Sequence, residues 1–108
     1  MTTLENFERM LAQGRDGALL RYSLGAEYLK ADNPCNAVLH LREAVRQDPN
    51  HSASWKLLGR ALNESSDLEG ALAAWRQGIA VAEARGDIQA VKEMTVFARR
   101  VEKRLAEG

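Results

Sequence analysis

The chain has one cysteine, two prolines and two histidines in 108 residues, only 6% of it is aromatic, and its 15 lysines and arginines balance 15 aspartates and glutamates. Each scarcity removes a class of protein. A lone Cys35 cannot close an internal disulfide, and too few cysteines and histidines remain to build a structural zinc site. A reducing compartment is therefore expected. Zero net charge supplies no long-range field toward nucleic acid or an anionic membrane, so charge-based recognition must be local. No apolar run is long enough to span a bilayer, and Glu5, Glu8 and Arg9 break up the N-terminal stretch where a signal peptide would need an apolar core. These readings lead to a soluble cytoplasmic protein of one small domain, with no membrane partner.

What the chain does have is apolar residues at three- and four-residue spacings along almost its whole length, which argues for helices throughout. The fold class expected is all-α. Short polar breaks, "GRDG", "ADNP", "DPNH", "SSD" and "RGD", carry Asp16, Asn33, Asn50, Asp67 and Asp87, side chains able to accept from the unpaired amides at a helix start. Pro34 suits a first helical position, where no amide is needed. Six helices are predicted, at roughly 3–13, 17–31, 34–47, 51–64, 68–84 and 88–106.

The breaks recur with a period, since Asp16 and Asn50 lie 34 residues apart, as do Asn33 and Asp67. The same shift superposes Leu24 on Leu58, Gly25 on Gly59, Tyr28 on Leu62, Ala37 on Ala71 and Leu41 on Trp75. A helix-turn-helix unit of this length is the mark of a stacked helical array.

These residues resemble the tetratricopeptide repeat family, whose pattern is W-x2-L-G-x2-Y, then A-x3-F, then a closing proline. One copy reads Arg21, Leu24, Gly25, Tyr28, Ala37, Leu41, Ala44 and Pro49; the other reads Trp55, Leu58, Gly59, Leu62, Ala71 and Trp75. The resemblance implies a short right-handed α-solenoid of antiparallel helix pairs. It divides the chain into a half-repeat helix at 1–15, repeats at 16–49 and 50–86, and a capping helix at 87–108. Three departures stand out. Arg21 replaces the usual tryptophan, Gly78 replaces an alanine, and the second copy lacks its proline, so its second helix should run on to about Arg85. One period before Leu41 stands Phe7, which makes the N-terminal helix the second half of a repeat. After Asp87, Val91, Met94, Ala98, Val101 and Leu105 form an apolar stripe with a charged opposite face.

Catalytic chemistry finds no constellation. His40 and His51 have no second ligand or carboxylate at a spacing that would build a metal or general-base site, Cys35 has no partner base, and no cofactor motif occurs. The "RGD" at Arg85 to Asp87 reads as a last-turn arginine, a terminal glycine and the next N-cap. Gly25 and Gly59 read as points of close helix approach, and Trp55, Trp75, Phe7, Phe97 and Tyr28 as core. Arg99, Arg100, Lys103 and Arg104 cluster on the last helix, but Glu93, Glu102 and Glu107 interrupt them and no aromatic stands beside them for stacking. No nucleic-acid role is expected.

Lys56, Arg60 and Asn63 share a helix face away from the Trp55, Leu58, Leu62 stripe. By the family resemblance, first helices line a concave groove that holds an extended peptide, and Tyr22, Ala26, Lys92 and Arg99 would border it. The expected function is a protein-binding adaptor or scaffold module, not an enzyme, taking a partner segment that is acidic or ends in a carboxylate. The chaperone-tail carboxylate clamp of the family is matched only in part, because Tyr22, Ala26 and Leu57 stand where its lysine and asparagines would. The alternative is a homodimer paired through Met94, Phe97 and Val101 on the last helix.

Overall fold

The structure is a computed structural model describing residues 1–108. It contains six helices and no strand: α1 (Thr3–Ala12), α2 (Ala18–Lys30), α3 (Pro34–Gln47), α4 (Ser52–Glu64), α5 (Leu68–Arg85) and α6 (Ile88–Glu107). Each packs most closely on its chain neighbour, and α4 also touches α2 on one side and α6 on the other. The molecule measures 43 × 31 × 19 Å, and the shortest dimension is about two helix diameters. Two layers of helices result, with α2, α4 and α6 adjacent in one of them.

Helix starts follow the capping chemistry at three of the five breaks read from the sequence. Asn33 accepts from the Asn36 amide, Asp67 from Gly70 and Asp87 from Ala90. Asp16 and Asn50 do not cap. The carboxylate of Asp16 accepts from Arg21, Gln47 and the adjacent Gly17 amide, and Gly17, which holds the N-cap of α2, has no side chain to offer the helix; His51 holds that position for α4. A cap the sequence reading missed opens α1, where Thr2 Oγ1 accepts from the Glu5 amide and Glu5 accepts from the Thr2 amide in return, both at 3.1 Å. The period also reaches the backbone. Asp32 and Ser66, 34 residues apart, both adopt left-handed dihedrals just after α2 and α4. There the Asn33 and Asp67 amides return to the carbonyls of Tyr28 and Leu62, closing the two turns alike. Without a closing proline, α5 continues to Arg85 and is longer than α3, as expected.

Two glycines determine how the helices of each pair meet. A Cβ on Gly25 would lie 2.4 Å from Leu41 Cγ, and one on Gly59 would lie 2.3 Å from Trp75 Nε1. These are one contact repeated a period later, in which the missing Cβ admits a bulky side chain from the facing helix. Leu24, Leu41, Ala37, Leu58, Ala61, Leu62, Ala71 and Trp75 are buried around it. Gly78 repeats the device between α5 and α6, with Met94 and the Cβ of Trp55 against it. Trp55 is only half-buried, and its Nε1 donates to the Pro49 carbonyl at 2.8 Å.

The ends of the array differ. Met94, Ala98 and Val101 of α6 are buried against α5. Met94 and Val101, two of the three residues considered for pairing two chains, are thus already used inside one chain, while Phe97 is only half-buried. In contrast α1 buries no residue fully, and Phe7 and Met10 form an apolar hollow with Leu19, Leu20 and Ser23 of α2.

Replacing Gly59 with alanine tests the glycine contact. Helix propensity favours alanine by about 1 kcal/mol, but overpacking a buried aromatic costs about 1–3 kcal/mol, and this indole is tethered by a hydrogen bond to the Lys56 carbonyl. The clash should prevail, with Gly59→Ala losing up to about 2 kcal/mol in urea denaturation. Gly17→Ala, at a position where a Cβ meets nothing within 4 Å, carries no such clash and should lose only about 0.5 kcal/mol, because alanine is the poorer N-cap.

Candidate functional site

The layer of α2, α4 and α6 carries an open groove of about 520 Å³. Tyr22 comes from α2, Lys56, Leu57, Arg60 and Asn63 from α4, and Phe97 and Arg100 from α6, while an edge of Trp75 reaches it from α5. The floor is apolar and mostly aromatic. Phe97 lies against Trp75 with ring centroids 5.3 Å apart, and Tyr22 meets His51 in a T-shaped contact with centroids 5.0 Å apart. Trp75 cannot turn freely, because its Nε1 donates to the Lys56 carbonyl at 3.1 Å. The core contact at Gly59 thereby also sets the groove floor.

Of the groove residues named from the sequence, Tyr22, Lys56, Arg60 and Asn63 come together here, whereas Ala26 and Lys92 do not line it. Neither does Arg99. On α6 the groove-facing positions are Phe97 and Arg100, with Glu93 and Arg104 one turn to either side. The reason is phase. Met94, Ala98 and Val101 turn toward α5, so the flank facing α4 follows Glu93, Phe97, Arg100 and Arg104 at four- and three-residue steps. Phe97 had been assigned to the core and Arg100 to a basic cluster, and spacing from the buried stripe was the signal that could have moved them.

The rim is positive and partly neutralised by the chain itself. Arg60 Nε bonds Glu64 at 2.8 Å, Lys56 Nζ lies 3.6 Å from Glu93 across the gap to α6, and Arg104 donates to Asn63 Oδ1 at 3.3 Å. Arg100 forms no ion pair, and no aspartate or glutamate lines the groove. Exposed pairs of this kind are worth about 0–1 kcal/mol each, so a ligand carboxylate can exchange with them at small cost.

A second polar assembly ties α1 to the first helix pair. Arg21 grips Asp16 with two hydrogen bonds, of 2.9 and 3.1 Å, and its Nη1 lies 3.1 Å from His40 Nδ1. A guanidinium only donates, so Nδ1 accepts, and the proton of neutral His40 sits on Nε2, 3.5 Å from Glu8. Tyr28 donates to the same Glu8 at 2.8 Å, and its ring stacks on His40. His40 therefore has a carboxylate partner after all, contributed across the tertiary structure by α1 where local spacing could not reveal it. Arg21 fills the place of the missing tryptophan with ion pairing. The bonds from Arg21 hold the Asp16 carboxyl far below its usual range, and Arg46 and Gln47 hold Glu43 down to about 2. Burial lowers the His40 pKa, with Arg21 adding to the effect and Glu8 and Asp16 opposing it.

No three His, Cys, Asp or Glu side chains are grouped so as to hold a metal ion, and no helix is long and apolar enough to cross a membrane. The fold and groove define a short helical-repeat protein with a concave face. No protein-family model matches the chain. It is 52% identical over 100 residues to a TPR repeat-containing protein of Pseudomonas aeruginosa, a match covering 93% of this chain and 95% of that one. A Bordetella parapertussis protein solved in solution superposes with TM-score 0.82 at 44% identity, covering 96% of this chain and 90% of its own. A crystallised tetratricopeptide repeat domain protein of Salinibacter ruber gives TM-score 0.74 at 27% identity, over 82% of this chain and 98% of its own. The chain belongs to the tetratricopeptide repeat family.

The His40 assembly makes stability depend on pH. A histidine whose folded pKa is depressed binds fewer protons folded than unfolded, so its stabilisation is complete above the unfolded value near 6.5 and is lost as pH falls below it. The contributions of Asp16 and Glu43, also depressed, persist until pH falls below about 4.5. Urea midpoints should thus fall between pH 7.5 and pH 5 for the wild type. His40→Gln should flatten that slope while lowering stability at pH 7.5.

Proposed function

We propose that this protein is a non-catalytic interaction module, an adaptor or scaffold, that holds an extended segment of a protein partner in the groove between α2, α4 and α6. Membership of the tetratricopeptide repeat family supports a protein partner. The observation that carries the site is the groove itself, where Lys56, Arg60 and Arg100 surround an aromatic floor with no acidic lining residue. A segment bearing carboxylates, internal or C-terminal, fits those donors through charge-assisted hydrogen bonds. Tyr22, Lys56, Arg60 and Asn63 are the proposed contacts, and Ala26 and Lys92, outside the groove lining, have a weaker claim.

The same reading treats 1–108 as one unit, with a half-repeat at 1–15, repeats at 16–49 and 50–86 and a cap at 87–108, working in the cytoplasm without a cofactor or nucleic acid. The alternative of self-association through α6 has less support, since Met94 and Val101 are buried within the chain.

Affinity purification with the tagged protein as bait tests the groove. Lys56→Glu combined with Arg60→Glu should cut partner capture at least tenfold, with helicity and melting temperature unchanged. Capture equal to wild type would eliminate the groove as the binding surface. Sedimentation across a range of concentrations should show a monomer.

A further inference from the structure

We propose that the groove selects a segment in which a large apolar side chain is flanked by carboxylates, and that Arg100 on α6 is the residue that reads the acid. This rests on the groove being the binding surface and adds the chemistry of what it takes. The floor of Tyr22, Leu57, Phe97 and the edge of Trp75 is apolar. A segment made only of charged residues would leave that surface wet, whereas a phenylalanine or leucine laid on it removes the water.

The cations around this floor are not equivalent. Lys56 has Glu93 at 3.6 Å and Arg60 has Glu64 at 2.8 Å, so an incoming carboxylate must exchange with one already there. Asn63 already receives Arg104. Arg100 lines the same groove on the next helix, is exposed, and has no carboxylate partner within 4.0 Å. It gains an ion pair on binding without giving one up, and its planar fork can hold a carboxylate through two bonds. Phe97, one turn before it, places the apolar contact beside the charge. Phe97 supplies beside Arg100 the aromatic that the sequence reading found lacking there, but a nucleic acid would also need a run of free cations along its backbone, and here Glu64 and Glu93 occupy two of the three.

The test titrates the isotopically labelled full chain with three acetylated and amidated pentapeptides: phenylalanine between two pairs of glutamates, alanine between the same glutamates, and phenylalanine between two pairs of glutamines. The first should move the Trp75 indole and Phe97 amide resonances and bind about tenfold more tightly than either of the others. In Arg100→Gln, an exposed substitution checked by its melt, the preference for glutamate over glutamine should vanish while the preference for phenylalanine over alanine persists. An unchanged glutamate preference in that variant would overturn the role of Arg100 yet leave the groove standing, since the Trp75 and Phe97 resonances would still move. If none of the peptides moves those resonances, the proposed ligand chemistry is wrong, and partner capture by the Lys56 and Arg60 variants judges the groove separately. Equal displacement of the first peptide by an oligothymidylate would overturn selection for a protein segment.

Discussion

A missing Cβ governs this structure. At Gly25 and again at Gly59 the facing helix approaches so closely that Leu41 and Trp75 occupy the space a methyl group would take. An array stacks in register only if each pair keeps nearly the same separation, and a glycine opposite a bulky residue fixes that separation more tightly than two medium side chains would. The second occurrence does more. Because Trp75 enters against Gly59 and its indole donates to the Lys56 carbonyl, one ring belongs to the core, ties α5 to α4 and supports Phe97 under the groove. Core and site share a side chain.

The two ends of the array meet the need for cover by different chemistry. At the C-terminal end α6 buries Met94, Ala98 and Val101, and apolar contact holds it. At the N-terminal end α1 buries nothing fully, and it is joined to α2 and α3 by Glu8, which takes a hydrogen bond from Tyr28 and faces His40. A polar assembly of this kind is directional and needs every member in place, since a donor or acceptor left unsatisfied costs about 1–3 kcal/mol. Arg21 is the member that makes it possible. A tryptophan there, uncharged and with a single N–H, could not both grip Asp16 and donate to His40, so the departure from the family pattern and the unusual attachment of α1 are one feature.

How much of this was legible depended on whether the deciding interaction was periodic. The helices, the 34-residue repeat and the role of Gly25 and Gly59 could be read because each recurs, and recurrence separates packing from chance. Asn33, Asp67 and Asp87 were legible as caps because their job is local; Asp16 was not, because a guanidinium and an amide brought near by folding claim its carboxylate. The partner of His40 was not legible for the same reason, its carboxylate lying 32 positions away on α1. On α4, Trp55, Leu58 and Leu62 gave the phase, and Lys56, Arg60 and Asn63 line the groove; on α6, outside the repeat, the Met94, Ala98, Val101 stripe was legible but not which of its flanks faces α4. Reading α6 one position off put Lys92 and Arg99 where Glu93 and Arg100 stand.

Overall neutrality and a positive groove are compatible because the acids are placed around the groove and not in it. Glu64 and Glu93 hold Arg60 and Lys56 at its margins, which keeps two long side chains ordered and limits attraction for polyanions at large. An acidic partner gains little from replacing one exposed ion pair with another, so net charge alone is a weak criterion for entry. The energy available beyond that exchange comes from covering the aromatic floor and from a cation that starts without a partner. On the proposed reading, specificity would reside in the coincidence of an apolar side chain and an acid, and the three-residue spacing of Phe97 and Arg100 along one face of α6 would set their separation.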